Sequence, residues 1–168
     1  MPILSLCSGY EGLGMAVEPL TGERVAYVAE VDEAAAKVLA HRFPDVPNIG
    51  DITTYDWTQL VGLVDIITAG FPCQDISLAG PRTGITGERS RIWKNVAEAV
   101  RVLRPRYVFL ENVAAIRSKA LQVVAADLAE IGYDLRWVCL RASDVGAAHR
   151  RDRWFGLATP AVPHAEGE

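Results

Sequence analysis

Val64-Asp65-Ile66-Ile67-Thr68-Ala69-Gly70-Phe71-Pro72-Cys73-Gln74 reads as a buried strand that ends in a reactive loop. The apolar run is short and rich in β-branched residues, the pattern of a strand covered on both faces. Gly-Phe-Pro ends it and leaves Cys73 and Gln74 at the strand's carboxyl end. In open α/β sheets, ligands bind outside the carboxyl ends of the strands. A second run, Tyr107-Val108-Phe109-Leu110, delivers Glu111-Asn112-Val113 in the same way. A thiol and a carboxylate brought to one rim by neighbouring strands make a candidate site for covalent catalysis.

Outward from this centre the chain alternates short apolar runs with helical periods. Residues 3–6 predict a strand, after which Gly9, Gly12 and Gly14 open a helix running toward Glu18. Residues 25–29 predict a second strand ending at Glu30, and residues 33–43 a helix closed by Pro44. A loop rich in Gly and Pro spans 70–91, and loops of that length are usually functional or disordered. Beyond it Ile92, Val96, Ala99, Val100 and Leu103 share one helical stripe over residues 92–103. Residues 118–131 predict a further helix, and 133–140 and 154–158 the last two strands. This order predicts an α/β fold of the Rossmann-like kind, a mostly parallel sheet with helices on both faces. One domain is expected over residues 1–159, with 160–168 as a flexible tail.

Composition narrows the function classes. Half of the 168 residues are hydrophobic and 23% are charged, a globular balance. A net charge of -4 argues against a protein that coats nucleic acid non-specifically. The basic residues are bunched, however: Arg82, Arg89, Arg91 and Lys94, then Arg150, Arg151 and Arg153. Both bunches flank the candidate site and suit either solvated charge or phosphate contacts. Three cysteines with no CxxC fit a reducing compartment and argue against a disulfide scaffold or a structural zinc site. With no signal peptide and no apolar run long enough for a bilayer, a soluble cytoplasmic protein is expected.

Several residues admit two readings. The turn from Leu6 to Gly14 offers glycine backbone and a helix N-terminus to a ligand, or is ordinary turn chemistry. Glu11 within it would suit a cationic or zwitterionic ligand better than a pyrophosphate. Glu30, at a strand end, can bond ribose hydroxyls; Asp32 just beyond it can cap the next helix. Asp51 can accept from an adenine amino group or merely stabilise its turn. Cys73 follows Pro and precedes polar residues, so exposure and nearby arginines favour its thiolate. Glu111 is either a salt-bridged carboxylate or one that holds a proton.

Taken in order, these segments resemble the DNA (cytosine-5)-methyltransferase family over nearly the whole chain. Leu4 to Gly14, with Leu6, Ser8, Gly9 and Gly12, is similar to its first cofactor motif, Ala29-Glu30-Val31-Asp32 to the second and Gly50-Asp51-Ile52 to the third. Gly70-Phe71-Pro72-Cys73-Gln74 matches the proline-cysteine motif, Phe109-Leu110-Glu111-Asn112-Val113 the glutamate-asparagine-valine motif, and His149-Arg150-Arg151-Asp152-Arg153 the arginine motif. The resemblance implies S-adenosylmethionine as cofactor, with Glu30 at the ribose, Asp51 at the adenine amino group, Gly9 and Gly12 at the methionine end, Pro72 and Ile92 packed nearby, and Leu6, Ser8, Val31 and Ile52 also in contact with it. It implies that Cys73 attacks C6 of a cytosine flipped out of double-stranded DNA, so that C5 takes the methyl group. Glu111 would hold the N3 and N4 edge, and Arg153 and Arg151 the O2 side and a phosphate. Gln74, Asn112 and His149 would lie with the substrate, and no metal is implied. Where the family usually carries Phe, Gly and Gln, this chain has Cys7, Glu11 and His149.

The variable target-recognition region and the family's final helix are not among these residues, which implies a second polypeptide supplying target recognition. Three readings stay open: a cytosine-5 methyltransferase, a non-catalytic module binding DNA or a partner, and a methyltransferase acting on RNA.

Overall fold

The computed structural model describes residues 2–72 and 91–162, so Cys73, Gln74 and the arginines at 82 and 89 lie outside the described residues. Four parallel strands form its centre: β1 (Ile3–Leu6), β2 (Val25–Ala29), β3 (Ile66–Ala69) and β4 (Tyr107–Val113). Then come β5 (Tyr133–Arg141) and β6 (Asp152–Pro160), in the sheet order β2-β1-β3-β4-β6-β5. Among the described strands β6 alone is reversed in direction, pairing antiparallel with both β4 and β5.

Side-chain alternation sends the sheet's apolar residues to two layers of helix. Leu4, Leu6, Ile67, Ala69, Val108 and Leu110 pack with Trp93, Val96 and Val100 of α3 (Arg91–Leu103) and Val124 and Leu128 of α5 (Leu121–Glu130). On the other face Ile3, Val25, Val28 and Ile66 meet Val17 of α1 (Gly12–Thr21) and Leu39 of α2 (Glu33–Arg42). Each such side chain, buried whole, contributes about 1.5–3 kcal/mol. Trp93 Nε1 donates to Asp127 Oδ2 at 2.7 Å and ties α3 to α5. Asp32 caps α2, accepting the Ala35 N–H at 2.8 Å. No described helix is long and apolar enough to cross a membrane.

Three local readings of the sequence change. The helix expected at 118–131 is two helices, α4 (Ile116–Lys119) and α5, broken at Ala120 with φ -144. Ile116 is fully buried, and its burial starts the first helix earlier than the periodicity suggests. α1 continues through Pro19 to Thr21, where Gly22 turns left-handed at φ 74 and donates to Glu18 O. Residues 47–49, which the sequence pattern assigns to no element, lie along β2: the Val28 N–H donates to Pro47 O at 3.1 Å and the Ile49 N–H to Val28 O at 2.8 Å. A single bridge leaves no period-two signature to read.

Register fixes the site. Leu6 pairs with Ala29 and with Ala69, and Ala69 pairs with Leu110, so four parallel strands reach the same level. The residues that follow are Cys7, Glu30, Gly70 and Glu111. They form one rim.

Candidate active site

Two adjoining cavities open along this rim. The smaller, about 290 Å³, has Glu30 and Val31 on one wall, Asp51 and Ile52 on another, and Pro72 and Ile92 closing it. The Glu30 carboxylate is held from behind, accepting the Gly9 N–H at 2.7 Å through one oxygen and the Asp32 N–H at 2.8 Å through the other. Asp51 is exposed and accepts the Thr53 N–H at 2.8 Å, so it stabilises its own turn while facing the cavity.

The larger cavity, about 580 Å³, has Ser5 and Thr68 on its floor. Leu6, Ser8, Gly9 and Gly12 line its first wall, and Glu111, Arg151 and Arg153 the opposite one. Cys7 and Gly70 border both spaces. The Ser8 hydroxyl donates to Ser5 O at 2.9 Å and accepts the Ala29 N–H at 3.1 Å, which fastens the glycine turn to β1 and β2.

Glu111 and Arg153 meet because β4 and β6 pair with Glu111 opposite Phe155, leaving Arg153 on the same face. Their Oε1 and Nε lie 2.8 Å apart, with both side chains between a fifth and a third exposed. Asn112, expected beside the substrate, projects from the opposite face of β4. It is buried, and its Nδ2 donates to Phe71 O at 2.7 Å. The Phe71 ring packs on Trp93 at 5.0 Å between centroids. Asn112 and Trp93 thus anchor Phe71, two residues before Cys73 in the sequence. His149 is exposed, and its Nδ1 accepts the Arg151 N–H at 3.4 Å.

Glu11 differs from its sequence reading as a ligand-facing charge. Its backbone is left-handed, φ 67 and ψ 30, and this rotates the side chain inward until it is fully buried above Gly14. Neither oxygen has a hydrogen-bond partner among the described residues. Burial pushes its carboxyl up to about 7, and the nearby Ser5 and Ser8 hydroxyls offset this only in part. Thr68 is the other notable group: it is fully buried, its hydroxyl finds no partner among the described residues, and it borders the larger cavity. A hydroxyl inside an otherwise apolar strand was the available signal. Asn48, which bonds to both Glu30 and Gly50, had none beyond its place before a Gly-Asp turn.

The sequence matches the family described as C-5 cytosine-specific DNA methylase over residues 1–161. It is 38% identical over 156 residues to the type II methyltransferase M.CviJI of Paramecium bursaria Chlorella virus IL3A, covering 92% of this chain and 42% of that protein. To the type II methyltransferase M.HhaI of Haemophilus parahaemolyticus it is 33% identical, covering 90% and 47%. The chain therefore spans less than half the length of these relatives. The crystal structure of the S. pombe Dnmt2 methyltransferase has the same fold, with a TM-score of 0.78 at 21% identity, over 100% of this chain and 52% of that one. A level rim of four strands, the turn before Cys73, the Glu111–Arg153 pair and a family match over almost the whole length agree: the chain belongs to the C-5 cytosine-specific DNA methylase family.

Proposed function

We propose that the chain is the catalytic and cofactor-binding part of a DNA cytosine-5 methyltransferase. The observation that carries this reading is the junction of the two cavities at Cys7 and Gly70, with Glu30 and Asp51 on one side and Glu111 and Arg153 on the other.

The residues present fit S-adenosylmethionine. The smaller cavity pairs the apolar Ile52, Pro72 and Ile92 with two carboxylates, which suits a purine and its ribose. The larger offers a zwitterionic end the N-terminus of α1 and the Thr68 hydroxyl, which has no partner among the described residues. Bound there, the cofactor supplies an electrophilic methyl group.

The chain's own residues do the rest. The Cys73 thiolate bonds to C6 of a flipped-out cytosine, and the C5–C6 electron pair moves to C5, which becomes the nucleophile. Glu111 holds the N3 and N4 edge of the base, and Arg153, paired with it at 2.8 Å, faces O2. Arg151 contacts the adjacent phosphate, with Gln74 and His149 on the substrate side. After methylation a base removes the C5 proton, the C6–S bond breaks, and the thiolate leaves with its electron pair. Double-stranded DNA is the substrate.

The test is covalent trapping on an oligonucleotide library containing 5-fluorocytosine, with S-adenosylmethionine present and Cys73→Ser as control. Fluorine at C5 cannot be removed as a proton, so a competent enzyme stays attached. The expected result is an adduct that survives denaturing electrophoresis and vanishes in C73S. A folded, cofactor-binding chain that gives no adduct would mean that these residues need a partner for catalysis or serve as a binding module.

A further inference from the structure

Residues 47–49 begin to pair with β2 through main-chain bonds at Val28, and a regular parallel ladder would next bring the backbone of 49–51 alongside Glu30. The Asn48 side chain takes that step instead. Its Oδ1 accepts the Glu30 N–H at 3.0 Å, and its Nδ2 donates to Glu30 O at 2.9 Å. A primary amide presents a carbonyl and an N–H in one plane, as a peptide unit does. The strand edge is thus completed by a side chain, and the main chain is released to go elsewhere. The same Oδ1 also accepts the Gly50 N–H at 3.0 Å. Gly50 sits at φ 75, a conformation that glycine adopts without strain. From there the chain turns away from β2 and places Asp51 and Ile52 on the far wall of the smaller cavity.

One side chain therefore joins both polar arms of that cavity. Asn48 pins the Glu30 main chain while Gly9 and Asp32 hold the Glu30 carboxylate, so main chain and side chain are fixed by separate partners. Fixing binding groups before the ligand arrives lowers the cost of ordering them on binding. The geometry assigns Asn48 as a positioning residue that sets the separation of the Glu30 and Gly50–Asp51 arms around the adenosine part of the cofactor. This assignment rests on the proposed reading of the smaller cavity as the adenosyl site.

The experiment is calorimetric titration of the full chain, its Asn48→Ala variant and its Asn48→Asp variant with S-adenosylhomocysteine, with the melting temperature of each measured without ligand. Asn48→Ala deletes three hydrogen bonds and is expected to weaken binding by about 10- to 100-fold. Asn48→Asp keeps both acceptor contacts but sets a carboxylate against Glu30 O, and a loss of about fivefold or more is expected. In any turnover assay the loss appears in the cofactor KM while kcat at saturation holds. A merely structural role would lower the melting temperatures and leave the affinities of the folded variants within twofold of the parent, which overturns the assignment. If Asn48→Ala does not fold, Asn48→Asp decides by the same criterion. A parent chain that does not bind S-adenosylhomocysteine overturns the adenosyl reading together with this one, whereas normal parent binding with unaffected variants overturns this one alone.

Discussion

Glu11 has both carboxylate oxygens buried with no hydrogen-bond partner among the described residues, and this gives it a measurable pH signature. In the folded chain it keeps its proton up to about 7, against 4.5 in the unfolded chain. Between those values the native state binds more protons than the unfolded state, so stability falls as pH rises. Glu11→Gln removes this dependence. Urea unfolding should show the variant gaining about 2–3 kcal/mol on the parent between pH 5 and pH 8; parallel profiles would mean that the carboxyl is ionised throughout. Glu111→Gln tests a different quantity. Its ion pair with Arg153 is partly solvated and contributes little to stability, so unfolding should shift by less than about 1 kcal/mol. Adduct formation on 5-fluorocytosine should fall by about 100-fold or more, because the role proposed for the carboxylate is to hold the reacting base.

At the level of the elements, α1 carries an informative glycine. Gly14→Ala in an ordinary helix gains about 1 kcal/mol. Here an added Cβ would run into the Glu11 carboxylate and come within 2.9 Å of Val25 Cγ2. The substitution should therefore cost about 1–3 kcal/mol in thermal unfolding. Glu11→Gly in the same chain should recover most of that loss, since it removes the carboxylate and suits φ 67. Additive losses would show that the two positions are not coupled. The same comparison shows what a sequence can disclose. β1 to β4 were legible because strands buried on both faces are written as nearly continuous apolar runs, and their level ends placed Cys7, Glu30, Gly70 and Glu111 on one rim. The bridge at residues 47–49, the break at Ala120 and the burial of Glu11 each depend on one residue's backbone angles or one long-range bond. Asn112 was expected beside the substrate because it shares a motif with Glu111; strand alternation sends the two to opposite faces, and Asn112 Nδ2 donates to Phe71 O.

Across the whole molecule the charge is -4, yet Arg150 and Arg151 stand exposed, and Arg151 lines the cavity that holds the Glu111–Arg153 pair. DNA affinity should accordingly vary with salt only as steeply as a few phosphate contacts allow, with a slope of about -0.9 per phosphate. Arg150→Ala should reduce that slope by about one contact in a salt titration, whatever the oligonucleotide sequence; an unchanged slope would leave Arg150 a solvated surface charge. The antiparallel insertion of β6 between β4 and β5 also sets an order of events in synthesis. β1 to β4 can pair as they emerge, but β4 acquires its second neighbour only when residues 152–160 have been made. Arg153 arrives with that strand. A nascent chain can thus have the walls built from β1 to β3 in place while the Glu111–Arg153 pair is still half absent, and the complete rim is among the last parts of the domain to form.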